Sequence, residues 1–471
     1  MEKTSLYLAF ATLSTTELRE LGKFVRSPFF NSHAQPIALC DYLTACRHQT
    51  TLPEAETAFQ TLYPGQPYDD QKLRLANSAL LALLEHYWVY QEKFRDADLG
   101  KTQMAAAYRK RNLGKPFQIA LREARQARER QPYRHAEYYG DLQLLEWEQY
   151  QFATATKRTE SFNLQENSDL MDITYLARKL QLACLAVAHQ AVFQSSYRLG
   201  LLDEIIHHVE QPQLMALPVI SLYYHCYKFS TDRTVATEHF TRFRDLLAES
   251  SGVFPAEELR TLHLLAINFG VKKINESQGN WLEATLSLYQ SALERGLLLE
   301  NGVLSRFAFN NMVAIALRVG EAGWAEHFIH QYKGHLERQY REATASLNLA
   351  RVAYARRDYP TALGHLQRSD YKDLINNLTA KALQLKIYYE METYDLLESH
   401  LSSMKNYLRR HTAIGYHRTN YGRMVYYTQA LLMVNFNDRS AVEALRTRIQ
   451  AEPILTEKDW LLERIEHGII P

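Results

Sequence analysis

The chain has little of what marks a secreted, membrane-spanning or catalytic protein. Its four cysteines, Cys40, Cys46, Cys184 and Cys226, form no Cys-x-x-Cys pair and no even ladder of spacings. That pattern excludes a disulfide framework and reads as free core thiols in a reducing compartment. The 13 prolines are spread thinly, with none between Tyr133 and Gln211, Ala256 and Tyr359, or Thr361 and Glu452. Such long proline-free stretches, rich in Leu, Ala, Glu, Gln and Arg, favour helix. Period-two alternation bounded by hairpin turns is scarce, so no sheet is expected. Net charge is only +1, which gives no global pull toward nucleic acid or membrane. The apolar stretch from Leu182 to Phe193 contains His189 and Gln190 and is too short to span a bilayer. A shorter one, Leu6 to Leu13, lacks a small-x-small cleavage site and is not read as a signal peptide. These features point to the cytoplasm.

Catalytic signatures are missing too. There is no Gly-x-Ser-x-Gly elbow, no His-Glu-x-x-His and no dinucleotide glycine fingerprint. Gly100-Lys101-Thr102 ends like a phosphate-binding loop, but Arg95 stands where the first glycine belongs. His327 and His330, with Glu326 and His335 nearby, would offer a metal two ligands on one helix; a structural zinc needs four. His207 and His208 are adjacent and point about 100° apart on a helix. No enzyme, metal or cofactor is expected.

What the chain does have is a repeat. At 471 residues it is too long for one compact core. Aromatic anchors Trp281, Trp324, Tyr359 and Tyr394 recur at spacings of 43, 35 and 35 residues, each after one helical stretch and before another. Spacing of this kind is the signature of stacked helix–turn–helix units. The clearest copy runs Asn348-Leu349-Ala350-Arg351-Val352-Ala353-Tyr354, then Asp358-Tyr359, Ala362-Leu363 and Leu366. It resembles the tetratricopeptide (TPR) pattern, in which small residues let two helices cross closely. The copy 35 residues on keeps Tyr388-Tyr389 and Tyr394 but has Leu397 where the pattern wants Ala. The Trp324 copy is looser, and Gly279-Asn280 is read as the turn of the Trp281 copy.

Residues 1–95 read differently. A helix after Ser14 carries Leu18, Leu21, Phe24 and Val25 on one face and stops at Ser27-Pro28. Pro36 and Pro53 open the next two helices, and the turn Tyr63-Pro64-Gly65-Gln66-Pro67-Tyr68 leads to a long one capped by Asp69 or Asp70. Two stretches, Phe24 to Asn31 and Tyr63 to Arg74, resemble the N-terminal region of an uncharacterised bacterial family. That resemblance implies a helical head paired with a repeat-like helical body and assigns no activity. Asp96, Asp98 and Gly100 break the apolar pattern, so a boundary is placed between 95 and 100. Thr456 and Asp459 read as a capping box for a final helix with Trp460 and Leu461 that closes the array.

Two surfaces are candidates for recognition. Eight residues before the anchors stand Lys273, Ala316, Arg351 and Lys386, and five before them Glu276, Val319, Tyr354 and Tyr389. Positions three apart share a helix face. In a TPR-like array that face lines the concave groove, so Lys273, Arg351, Tyr354, Lys386 and Tyr389 are the expected partner-binding residues, suited to carboxylates of a peptide. The second surface is the segment from Lys101 to Arg134, which holds ten basic residues against Glu123 and Glu129, with Arg122, Arg125 and Arg128 as expected phosphate contacts.

The expected protein is thus all-α: a small helical domain over 1–95 and a TPR-like α-solenoid of antiparallel helix pairs over 100–471. The expected function is a non-catalytic scaffold or adaptor that binds a protein or peptide partner in its groove. The alternative is a nucleic-acid-associated regulator. It would dock through the basic segment or through the head, where Lys72-Leu73-Arg74 opens the helix after the Tyr63 turn.

Overall fold

The computed structural model describes residues 3–94, 97–156, 161–193, 195–276, 281–367, 374–410 and 416–468. The regular structure of these residues is helical apart from one short hairpin. The chain divides into two compact units, residues 1–178 and 179–471.

In the first unit, α1 (Ser5–Ala11), α2 (Thr15–Arg26), α3 (Ala34–Gln49), α4 (Ala55–Leu62) and α5 (Asp70–Phe94) enclose one core running from Leu6 and Phe10 to Leu84 and Tyr87. The apolar run from Leu6 is therefore a helix of its own, ahead of the one expected after Ser14. Ser14 and Glu17 close a capping box at the start of α2: Ser14 Oγ accepts from the Glu17 amide at 3.2 Å, and Glu17 Oε2 accepts from the Ser14 amide at 2.7 Å. Asp69 caps α5 by accepting from the Lys72 amide. The unit continues with α6 (Ala97–Lys110), α7 (Gly114–Arg130), α8 (Ala136–Thr156) and the start of α9 (Leu164–Val192). The boundary expected between 95 and 100 falls partly on residues 95 and 96, outside the described residues.

The second unit takes in the rest of α9, then α10 (Leu202–Val209), α11 (Pro212–Met215), α12 (Pro218–Thr231), α13 (Ala236–Glu249), α14 (Ala256–Asn275) and α15 (Leu282–Glu294). After these come α16 (Arg306–Arg318), α17 (Ala322–Tyr332), α18 (Arg341–Ala355), α19 (Tyr359–Gln367), α20 (Leu374–Glu390) and α21 (Tyr394–Arg410). The chain finishes with α22 (Tyr416–Met433), α23 (Arg439–Ala451) and α24 (Lys458–Gly468).

Four helix pairs share one turn. The pairs α6–α7, α16–α17, α18–α19 and α20–α21 are each joined by three residues, the middle one left-handed: Asn112 (φ 56°), Gly320 (φ 86°), Arg357 (φ 61°) and Glu392 (φ 56°). At Arg357 the amide donates to Tyr354 O at 2.9 Å and the next amide, Asp358, donates to Ala353 O at 2.9 Å. The same two bonds recur at the other three turns and satisfy carbonyls the first helix would leave open. The third turn residue also starts the second helix, because its carbonyl accepts from the amide four residues on, in Phe117, Ala325, Ala362 and Leu397. All four of those side chains are fully buried.

The turns also set the register. Gly320, Arg357 and Glu392 are spaced by 37 and 35 residues, so Tyr359 and Tyr394 occupy the same place in their pairs and Trp324 falls two residues later in its own. The expected equivalence of Trp324 with Tyr359 is corrected accordingly. Tyr359 is half-buried, whereas Tyr394 is 50% exposed, so the two share a backbone position and not a packing environment. Trp281 is buried edge-on against Phe240 and Phe269, and its expected turn, Gly279-Asn280, lies outside the described residues.

One stretch departs from helix. Strands β1 (Leu299–Glu300) and β2 (Val303–Leu304) pair antiparallel around Asn301 (φ 51°) and Gly302 (φ 79°). Asn-Gly at those angles is the favoured two-residue hairpin connection. The sequence expectation of unbroken helix is wrong here.

Two stability measurements test this register. Left-handed φ costs an L-residue about 1–2 kcal/mol, and glycine avoids it at a smaller cost in unfolded-chain entropy. Glu392→Gly is therefore expected to raise stability by up to about 1 kcal/mol, read as a higher urea midpoint; a lower midpoint would mean the turn is not left-handed. Ala362→Leu overpacks a fully buried crossing and is expected to cost about 1–3 kcal/mol, and an unchanged melt would count against that crossing.

Candidate functional site

Tyr354 and Arg351 on α18 and Tyr389 and Lys386 on α20 stand three and six residues before their left-handed turn residues, so the two pairs are in register. Counting back equally from Gly320 reaches Leu317 and Ala314, which replace the expected Val319 and Ala316. What meets this face is the chain's own last helix. Glu390, next to Tyr389, accepts hydrogen bonds from Tyr354 Oη at 2.5 Å, Tyr359 Oη at 2.6 Å and Trp460 Nε1 at 2.7 Å, with Arg464 Nη1 4.0 Å away. Lys386 donates to Glu457 Oε2 at 2.8 Å and lies over the Tyr354 ring at 4.6 Å. Tyr389 meets the Trp460 ring edge-on at 5.4 Å.

The electrostatics follow from burial. The Glu390 side chain is 11% exposed. Burial alone pushes its carboxyl pKa up, but the donors Tyr354, Tyr359 and Trp460 and the Arg464 charge outweigh it and hold the pKa below the ordinary value. The same contacts act oppositely on the phenols: burial, then the Glu390 bond and charge, pushes Tyr359 up to about 12 and Tyr354 higher still. Both tyrosines remain neutral donors. The arrangement is a charge-assisted clamp between α18, α19, α20 and α24.

The other cations of the expected row are also engaged. Lys273 is 5% exposed; its ammonium lies 3.4 Å from Glu276 and 5.5 Å from the Phe269 ring centre. Arg351 donates to Asn348 Oδ1 at 3.2 Å. The open row of groove cations is therefore corrected: Lys273 is buried in its own pair, and Tyr354, Lys386 and Tyr389 already hold α24. That helix begins one residue later than a Thr456 cap would place it, with Glu457 (φ 57°) at the cap, its carbonyl accepting from Leu461 N.

The basic segment is likewise partly neutralised. Arg128 is buried 3.3 Å from Asp141, Arg125 pairs with Glu146, and Arg109 pairs with Glu148 at 2.6 Å, which leaves Arg122 as the exposed member of the expected trio. In the head, Leu73 is core, while Lys72 and Arg74 are exposed, Arg74 pairing with Asp70 at 2.7 Å and Lys72 donating to Gln66. His327 and His330 are exposed and Glu326 is held by Arg356 at 2.7 Å. Among the described residues no group of three or more His, Cys, Asp and Glu could hold a metal, and no helix is long and apolar enough to cross a membrane. All four cysteines are free and buried.

Glu390 was missed by the sequence reading. Its partners lie 36, 31 and 70 residues away, and no local pattern joins them. Comparison with known proteins adds nothing to this geometry: no protein-family model, no curated protein and no solved structure matches the chain.

Removing the Glu390 charge should destabilise the fold in a pH-dependent way. Hydrogen bonds to a charged group contribute about 1.5–3 kcal/mol, so Glu390→Gln is expected to cost that much at neutral pH. The folded pKa lies below the unfolded one, so the contribution is present above the unfolded carboxyl pKa and is lost as pH falls through the folded value. Urea midpoints of the two proteins should therefore converge below about pH 4, and a gap of constant size would rule out the charge as its source.

Proposed function

We propose that this chain is a non-catalytic interaction protein, a scaffold or adaptor whose body is a TPR-like α-solenoid of antiparallel helix pairs. The observation that carries the reading is the turn repeated at Asn112, Gly320, Arg357 and Glu392, with its buried partner at Phe117, Ala325, Ala362 and Leu397. A unit built several times over on one turn is the physics of a repeat array, and such arrays bind. The head resembles that of an uncharacterised bacterial family and belongs with this body on the same reading. Free buried thiols fit a cytoplasmic location.

The partner is a protein or peptide segment that competes with α24 for the face of α18 and α20 carrying Arg351, Tyr354, Lys386 and Tyr389. α24 indicates the chemistry that face accepts: a carboxylate against Lys386, an indole N–H against Glu390 and an aromatic ring against Tyr389. The nucleic-acid reading has less support, since Arg125 and Arg128 of the expected trio already face carboxylates and Arg122 is its exposed member.

Affinity purification of the full chain from its native cell, with and without nuclease, tests the reading. A protein partner should be recovered equally in both, and Arg351→Glu with Lys386→Glu should weaken its binding at least tenfold, about 1.4 kcal/mol. Recovery that nuclease abolishes would overturn the scaffold, and normal binding by the double variant would move the surface off this face. Thermal melts of the variant separate lost binding from lost structure.

A further inference from the structure

The head carries an aromatic surface that the core does not use. Phe29, at the turn after α2, is 87% exposed. It stands edge-on to Phe30 at 5.0 Å, and Phe30 stacks on Phe24 at 4.1 Å and approaches Tyr90 at 6.3 Å. Tyr90 in turn meets Phe94 at 4.6 Å, and Phe30, Tyr90 and Phe94 are all exposed. Contiguous exposed rings of this kind mark interaction sites rather than ordinary surface. Beside them lies a cleft of about 430 Å³ whose lining includes Glu17, Tyr90, Gln91 and Phe94.

The charge of this surface selects its occupant. On α2, Glu17, Glu20 and Phe24 lie within about 60° of one another, so two carboxylates flank the aromatic wall. Glu20 accepts from Tyr87 Oη at 3.1 Å and Gln91 Nε2 at 2.8 Å, and both donors are neutral. The last turn of the same helix carries Lys23 and Arg26; Arg26 is tied to both oxygens of Asp41 at 2.6 and 2.7 Å, and Lys23 lies about 100° around the helix from Phe24. Aromatic faces and carboxylates together suit a cation on an apolar stem, through cation–π attraction and charge-assisted hydrogen bonds.

We infer that this face of the head docks a protein partner through a peptide segment that presents a lysine or arginine into the Glu17–Tyr90–Phe94 cleft and an apolar side chain against Phe29 and Phe30. The inference stands whether or not the helical body holds a partner of its own, because every residue it uses lies between Glu17 and Phe94.

Selection from a phage-displayed library of random dodecapeptides on the full chain tests it, with Phe29→Ser and Glu20→Gln variants as counter-baits. Phe29 is a solvent-facing ring, so Phe29→Ser should melt like the parent; Glu20→Gln keeps the shape but weakens the bonds from Tyr87 and Gln91, so its binding is compared below the onset of its own melt. Enriched peptides should share a basic residue next to an apolar one and bind each variant about tenfold less tightly by fluorescence anisotropy. Three outcomes would overturn the inference: enrichment of acidic peptides, equal binding by both variants, or no enrichment over the counter-baits. Concentration-dependent association of the parent that Phe29→Ser abolishes would instead assign the face to a second copy of the chain.

Discussion

A helix that must stop and reverse within three residues leaves its last carbonyls and the next helix's first amides without partners, and four pairs in this chain meet that constraint in one way. The middle residue takes a left-handed conformation, so that its amide and the following one turn back to the carbonyls of the helix just ended. The third residue then serves both helices, donating backward through its N–H and accepting forward through its carbonyl. This fixes which residue of the second helix faces the first. Hence Phe117, Ala325, Ala362 and Leu397 are all fully buried although they differ greatly in volume. The backbone sets the position, and local packing sets the size: Phe117 stacks on Phe152 at 4.3 Å, while Ala362 permits a close crossing.

Within that frame, Glu390 shows how a charge is kept in a nearly dry place. A buried carboxylate is costly unless its lone pairs are filled. Here three neutral donors and a nearby arginine fill them, and they come from α18, α19 and α24. The clamp therefore joins residues far apart in sequence while leaving the hydrophobic work to Leu461 and Ile465, which are fully buried among α21–α23 residues. Lys386 and Glu457 add a second charged tie at its edge.

The all-α class and the pairing of helices were legible because proline-free, helix-forming stretches and the near-constant spacing near 35 residues are local and periodic signals. The register was legible only in part. Asn112 and Gly320 announce a left-handed turn by residue type, whereas Arg357 and Glu392 do not, so the aromatic anchors served as proxies and Trp324 misled by two residues. The Asn301-Gly302 hairpin carried a plain signal that was lost in helical surroundings. Residue roles were the least legible, since whether Lys386 or Arg128 faces solvent or a carboxylate depends on Glu457 or Asp141 arriving from another helix.

Those ion pairs change where a partner has reason to bind. In the body, cations that looked like a recognition row are met by the chain itself: Lys273 by Glu276, Lys386 by Glu457, Arg125 by Glu146 and Arg128 by Asp141. A ligand for those groups must first replace a partner already desolvated beside them, which lowers the net gain of any new contact. The head presents the reverse case, because Phe29, Phe30, Tyr90 and Phe94 expose apolar surface whose burial has not yet been realised in the fold. Covering it releases the hydrophobic contribution of four rings at once. The head's carboxylates are also engaged, Glu17 by the Ser14 amide and Glu20 by Tyr87 and Gln91, so what distinguishes that face is its exposed aromatic surface. On the face of α18 and α20, a new segment would gain contacts with Lys386, Glu390 and Tyr389 only by competing with α24 for them.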